Sequence, residues 1–173
     1  VKADLCSKNI GETRPGDKTF KKFNQVKKVI ILEPLKPKST YAWFASMHNL
    51  EEIQGLDLLD TSETVDMTCM FMSCEKLQVL DLSAFQFNNV NRMQSMFGFC
   101  YRLKSIVFNN INIKDTANIN CMFEQNFALR SIYILGNINC ERKFMSYLEN
   151  LTIHCPINSN LIDLAYEGYK INI

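Results

Sequence analysis

The sequence predicts an α/β solenoid of about four to five repeats, each about 26 residues long, with parallel strands on one face and short helices on the other. A first pattern, M-x-x-M-F-x-x-C or a close variant, carries apolar residues at positions i, i+3, i+4 and i+7. This spacing is typical of one helix face. An L-x-x-L-x-L pattern follows it, as expected for a buried strand. Because the pair returns at a fixed interval, each repeat is expected to pack mainly against its neighbours. The pair recurs at Met67–Leu82, Met93–Phe108 and Ile119–Ile134.

Residues 1–39 lack the repeat and are interpreted as an N-terminal cap, which covers the first apolar rung. Val29–Leu32 is a short apolar run that predicts a strand, and Pro34 and Pro37 end it. Residues 1–38 hold ten Lys and Arg against four Asp and Glu, a net charge of +6. A solvated basic edge explains this charge, and a binding patch for an acidic partner is the alternative.

Four repeats are predicted over residues 40–139, and a shortened last repeat with a C-terminal cap over residues 140–173. The first repeat is 27 residues long because Gln54-Gly55 adds one residue. In the last repeat, Leu148–Ile153 matches Leu129–Ile134 after only 19 residues. All of residues 1–173 are therefore expected to form a single solenoid domain. Its buried ladder comprises Met70, Met96 and Met122; Phe71, Phe97 and Phe123; and Leu80, Ile106 and Ile132.

Four of the seven cysteines occupy shared positions of the repeat, which favours packing over redox chemistry. Cys74 and Cys100 share one position of successive repeats, and Cys69 and Cys121 share another. Residues placed in this way are expected to be small buried hydrophobes with free thiols. A disulfide between neighbouring rungs is the alternative, because stacked residues come close enough to be bridged.

The sequence offers little for catalysis, so the chain is expected not to be an enzyme and to hold no cofactor, no metal and no catalytic residue. His48 and His154 are the two histidines and belong to different repeats. No C-x-x-C pair with zinc-ligand spacing and no phosphate-binding glycine loop occurs. The net charge of +1 gives no case for nucleic acid, and no run of about 18 apolar residues predicts membrane insertion.

A binding surface is instead expected on the concave face of the strands, where the residues between the buried leucines point outward. Solenoids commonly bind partners on this extended face. The partner class would be a protein or a glycan, and the chain is expected to be a monomer. The residues predicted to contact the partner are Asp81, Val107, Tyr133, Leu135 and Thr152.

The complete repeat, V-x-x-M-x-x-M-F-x-x-C-x-x-L-x-x-L-D-L-S, is nearly intact at Val65–Ser83 and present with variation at Val90–Asn109. It resembles the BspA-like leucine-rich repeat, so the predicted fold is leucine-rich-repeat-like. This resemblance covers about residues 26–155, and the late repeats depart from the pattern at Ile119 and Asn126. That family occurs in bacterial surface proteins, including mycoplasma lipoproteins, and in some protozoan surface proteins.

The resemblance implies a surface-exposed or secreted module that adheres to, or interacts with, a host or neighbouring cell. A second hypothesis is a structural spacer of a larger surface protein, with no ligand on these repeats. A third is an intracellular, cytoplasmic interaction scaffold, which unpaired cysteines would favour.

Overall fold

The computed structural model describes residues 23–114, 117–136, 138–139, 151–155 and 170–172 of the chain. The backbone winds as a parallel-stranded solenoid, in which each coil lies on the one before it. A 3₁₀ turn spans Leu56–Leu58. The strands are β1 Lys28–Ile30, β2 Glu52–Gln54, β3 Val79–Leu82, β4 Ser105–Phe108, β5 Ile111–Asn112, β6 Ser131–Ile134, β7 Ile138–Asn139, β8 Thr152–His154 and β9 Lys170–Asn172.

All of the paired strands run parallel, because each coil returns to the same place in the same direction. The main sheet has the order β3-β4-β6-β8-β9, β1 pairs with β2, and β5 pairs with β7. Isolated bridges join Ser39 to Asp66, Asp66 to Arg92, and Arg92 to Asn118. These steps of 27, 26 and 26 residues match the predicted repeat lengths. The repeat solenoid predicted from the sequence is therefore confirmed.

The face opposite the sheet differs from the prediction of short helices. Met67–Cys74 and its equivalents form successive tight turns, and Cys69 and Ser73 have left-handed φ angles of 55° and 60°. Such angles interrupt a right-handed helix. Every second amide donates to the next coil in place of a carbonyl four residues earlier. In this coil, Cys69 N donates to Gln94 O, Phe71 N to Met96 O, and Ser73 N to Gly98 O, at 2.9, 2.9 and 2.8 Å.

The remaining amides of the same segment bond within their own coil. Met70 N donates to Met67 O at 3.2 Å, and Met72 N donates to Cys69 O at 3.1 Å. The turn face is therefore hydrogen-bonded both along the chain and between coils. The apolar positions still point inward, which is why the helix-like spacing was misleading about local structure and correct about burial.

A column of phenylalanines forms the centre of the core. Phe44, Phe71, Phe97 and Phe123 stack with ring centroids 5.4, 5.8 and 5.3 Å apart and planes within 15° of parallel. Each is at most 5% exposed. The predicted methionine and aliphatic ladders are buried beside this column, so the predicted core is confirmed. Their members are Met70, Met96, Met122, Leu80, Ile106 and Ile132.

The first coil carries part of the positive charge of the N-terminal region, and acidic residues compensate it. Lys28 Nζ lies 2.9 Å from a carboxylate oxygen of Glu52. Lys36 Nζ lies 3.3 Å from Asp60 and 3.2 Å from Glu63. Lys28 and Lys36 are therefore paired with carboxylates, and the choice between a solvated edge and a binding patch for the whole of residues 1–38 stays a prediction. The rest of the proposed caps, residues 1–22, 140–150, 156–169 and 173, lies outside the described residues.

Candidate functional site

The outer face of the main sheet carries two rows of side chains that cross the strands. Strand pairing aligns them because residues that are Cα partners point to the same side. The first row is Val79, Ser105, Ser131 and Thr152. The second row is Asp81, Val107, Tyr133 and His154.

Four of the five predicted site residues occupy the places expected from the repeat. Asp81, Val107 and Tyr133 are neighbours in the second row. Asp81 is exposed, and its Oδ1 accepts a hydrogen bond from Ser83 N at 3.0 Å. Leu135 follows the end of β6 and is 58% exposed. The structure thus brings these four side chains onto one face, and whether they bind a partner stays a prediction.

The fifth predicted residue, Thr152, lies in the other row. The 19-residue match aligned Thr152 with Tyr133, whereas β8 pairs Thr152 with Ser131 and His154 with Tyr133. The alignment was therefore wrong by two residues. A two-residue shift leaves the same side chains facing inward, so the apolar pattern could not distinguish the two registers.

The corrected register places an aromatic pair at the centre of the face. The rings of Tyr133 and His154 stack with centroids 4.2 Å apart and planes 11° from parallel. Tyr133 is 38% exposed, and His154 is partly buried. The sequence did not reveal this pair because the 19-residue match, extended by one residue, aligns His154 with Leu135 instead of Tyr133.

A third row of side chains, partly buried in the early coils and exposed in the later ones, lies at the corner where each turn leads toward its strand. It comprises His48, Glu75, Tyr101 and Phe127, one from each coil. His48 Nδ1 lies 2.8 Å from Glu75 Oε1. Tyr101 and Phe127 stack with centroids 6.4 Å apart, and Phe127 is 67% exposed. The repeat spacing could have revealed this row, since each member follows the shared Cys position or its equivalent.

The shared cysteine position has a hydrogen-bonding role that the sequence did not reveal. Cys74 Sγ donates to Phe44 O, and Cys100 Sγ donates to Phe71 O, both at 3.1 Å. Asn126 holds the same position one coil later, and its Nδ2 donates to Phe97 O at 2.8 Å. The apparent departure at Asn126 therefore preserves a donor to the phenylalanine carbonyl of the preceding coil.

Cys74 and Cys100 are fully buried, as predicted. Burial raises the pKa of the Cys74 thiol well above its usual value and that of Cys100 to about 12. Both thiols therefore stay protonated and able to donate at neutral pH. Cys69, Cys74, Cys100, Cys121 and Cys155 all have free thiols.

The prediction of burial was wrong for the second cysteine position. Cys121 is exposed and Cys69 is half-buried. Both adopt left-handed φ angles, 56° and 55°, in the outer part of the turn. Burial also raises the pKa of the Cys69 thiol. The sequence pattern identified equivalent positions here but not the direction of their side chains.

Potential metal ligands do not cluster in the part of the chain that the structure describes. No group of three or more His, Cys, Asp or Glu side chains there could hold a metal ion. No helix in the same residues is long and apolar enough to cross a membrane. The observed features are thus stacked rows of surface side chains on a regular scaffold.

Comparisons with known proteins identify the repeat. Neither a curated protein nor a solved structure matches the chain. A family described as "Mycoplasma protein of unknown function, DUF285" matches residues 38–134. That range is more than half of the chain and includes the regular coils from Thr40 to Ile134. The chain therefore belongs to the DUF285 family.

Proposed function

We propose that this chain is a non-enzymatic repeat module that binds a protein or glycan through the outer face of its main sheet. The observation that carries the proposal is the stacked pair Tyr133 and His154, flanked by Leu135. Tyrosine contributes disproportionately to interfaces because it buries a large apolar ring and keeps a polar tip. The ring of Tyr133 is already held in place by stacking on His154, so Tyr133 loses less side-chain entropy when a partner binds.

The surroundings of the pair suit a partner with both apolar and polar groups. Ser105, Ser131 and Thr152 present hydroxyl groups along the neighbouring row. Asp81 adds an exposed carboxylate at the other end of the face. Hydroxyl and carboxylate groups can form hydrogen bonds either with a polar protein surface or with sugar hydroxyls. The proposed partner is therefore a protein or a glycan.

A surface-exposed or secreted location is part of this proposal. Membership of a Mycoplasma family and the resemblance to BspA-like repeats both support it. The same resemblance supports a role in adhesion or host interaction. The alternative is a spacer within a larger surface protein, which the regular stacking of the coils favours, because such a scaffold can display another segment without binding anything itself.

The test begins with the purified chain on a glycan array and on an array of extracellular protein domains. The dissociation constant of each hit is then measured for wild type, Tyr133→Ala and Phe127→Ala. Phe127 is the matched control, since it is an exposed aromatic residue at the corner and away from this face. We expect Tyr133→Ala to weaken binding at least tenfold and Phe127→Ala to change it less than twofold.

Equal affinities for wild type and Tyr133→Ala would contradict the proposed surface. A chain that binds nothing on either array would favour the spacer. Thermal unfolding of each variant shows whether a loss of binding comes from a loss of folding. Tyr133 lies on the outside of the sheet, so both substitutions are expected to leave the fold intact.

A further inference from the structure

On the strand side of the solenoid, the pairing of successive coils is interrupted once among the described coils, although the turn sides of the same two coils stay hydrogen-bonded to each other. β1 pairs with β2, and the main sheet begins at β3, but no hydrogen-bonded ladder joins β2 to β3. The extra residue of the first repeat lies at this point. Gly55 adopts a left-handed φ of 79°, and the 3₁₀ turn Leu56–Leu58 follows directly. The chain therefore leaves the line of the sheet just where the next coil would have paired with it.

The interruption opens a groove between the two strands, which we call the seam. One part has a volume of about 510 Å³ and the next about 220 Å³, and Ile53 and Val79 line both. Ile53 is only half-buried, whereas its equivalents Ile106 and Ile132 are fully buried. The seam thus leaves partly exposed an apolar strand position that is buried in the regular coils.

Backbone hydrogen-bonding groups face the seam from both sides. Glu52 N donates to Lys27 O, and Ile31 N donates to Gln54 O, so residues 52 and 54 face β1. Because successive residues of a strand direct their N–H and C=O groups to opposite sides, those of Ile53 face the seam.

The same alternation applies to the strand on the other wall. Ser105 N donates to Gln78 O, which directs residues 78, 80 and 82 toward β4. The N–H and C=O groups of Val79 and Asp81 therefore face β2 across the seam. Two strand edges with the same direction lie opposite each other, each with donors and acceptors available for a parallel strand.

The charges along the seam differ between its two ends. Lys76 and Arg102 line the end where the strands begin. Glu51 and Glu52 lie across from them, and Glu52 is already paired with Lys28. Asp57 and Asp81 line the other end without a lysine or arginine among the lining residues there.

We propose that the seam accepts an extended peptide segment of a partner protein, added as a parallel strand between β2 and β3. Its inward side chains would be apolar and lie between Ile53 and Leu80, and its outward side chains would be polar. An acidic residue near its N-terminal end would face Lys76 and Arg102, and a basic residue near its C-terminal end would face Asp57 and Asp81. Main-chain bonds supply affinity and alternate side chains supply selectivity in this mode of recognition. The proposal concerns the strand edges and does not depend on the surface around Tyr133.

The probe is the peptide acetyl-Glu-Val-Thr-Val-Thr-Val-Lys-amide, titrated to millimolar concentration into the ¹⁵N-labelled full chain. We expect saturable changes in the amide resonances of Ile53, Val79 and Asp81, with protection of these amides from hydrogen exchange. The matched control is the same peptide with N-methyl groups on its three valines. It keeps the side chains and charges but loses three donors, and we expect at least tenfold weaker binding.

A protein variant tests the same backbone groups from the other side. Val79→Pro removes a donor that faces the seam, while Val79→Ala keeps that donor and removes the same side chain. We expect Val79→Pro to weaken the peptide at least tenfold and Val79→Ala less than threefold. If Val79→Pro does not fold, the N-methylated peptide on the wild-type chain decides the question alone.

Three results would overturn the proposal. One is no saturable change at Ile53, Val79 and Asp81 at millimolar peptide. Another is equal binding of the plain and N-methylated peptides. The third is a change of the same resonances with protein concentration in the absence of peptide, which would identify a second copy of the chain as the occupant.

Discussion

The carbonyls of Phe44, Phe71 and Phe97 each accept a side-chain hydrogen bond from the following coil, and Asn126 is the least suited of the three donors. Its Nδ2 bonds to Phe97 O, but its buried Oδ1 has no hydrogen-bond partner within the described residues. A buried acceptor without a partner costs about 1–3 kcal/mol. Cysteine at this position would keep a donor and remove the unsatisfied oxygen.

We therefore predict that Asn126→Cys stabilises the chain by about 1 kcal/mol. The gain of about 1–3 kcal/mol from removing the unsatisfied oxygen exceeds the loss of about 0.5 kcal/mol expected when a thiol replaces an amide donor. The reciprocal change, Cys100→Asn, introduces the same oxygen beside Phe71 and is expected to destabilise by about 1–3 kcal/mol. Asn126→Ala loses the donor altogether and should be about 1 kcal/mol less stable than Asn126→Cys.

Urea unfolding under reducing conditions measures these differences, with the fluorescence of the buried Trp43 as the signal. In thermal unfolding of a chain of this length, a change of about 1 kcal/mol in the free energy of unfolding corresponds to a shift of about 2–4 °C in Tm. Should Asn126→Cys be less stable than wild type while Cys100→Asn is unchanged, the hydrogen-bond reasoning would be refuted, and packing volume alone would govern this position.

Three further predictions concern the core and its turns. Phe97→Ala removes a ring stacked between two others and should cost about 3–5 kcal/mol, whereas Phe97→Leu should cost less than half of that in the same urea assay. The pKa of Cys100 is raised to about 12 from its usual 9.0, so the unfolded chain loses this proton at lower pH than the folded one. Unfolding free energy should therefore fall as pH rises from about 9 toward 12, less steeply in Cys100→Ala; equal slopes would contradict the assignment. Gly55→Ala should destabilise by at least about 1 kcal/mol, because the glycine has a positive φ and an added Cβ would overlap Ile31 O; an unchanged Tm would count against this geometry.

Much of the fold could be predicted because the repeat places chemically similar residues at equal intervals. The interval located Phe71, Phe97 and Phe123 in one buried column without any knowledge of local conformation. The turn face was predicted less well. Its apolar spacing fits a helix, but left-handed residues such as Cys69 and Ser73 divert alternate amides to the neighbouring coil, and single-sequence periodicity carries no information about those partners.

The candidate site was likewise predictable in the regular repeats and not in the irregular last one. Asp81, Val107 and Tyr133 could be placed in one row because their repeats are regular. The irregular last repeat could not be aligned, since a shift of two residues preserves the inward and outward alternation. As a result the sequence pointed to Thr152 where the structure places His154.

The sequence by itself determined the period, the buried columns and the outward face of each strand, because burial requires apolar residues at fixed intervals. Only the tertiary structure decided which coil each backbone group and each cysteine or asparagine donor bonds to. These bonds join residues about 25 to 30 positions apart, and several hydrogen-bond donors can fill the same place. The structure also decided that β2 and β3 stay apart at Gly55, since one extra residue in the first repeat predicts a longer coil but not the direction in which the chain turns.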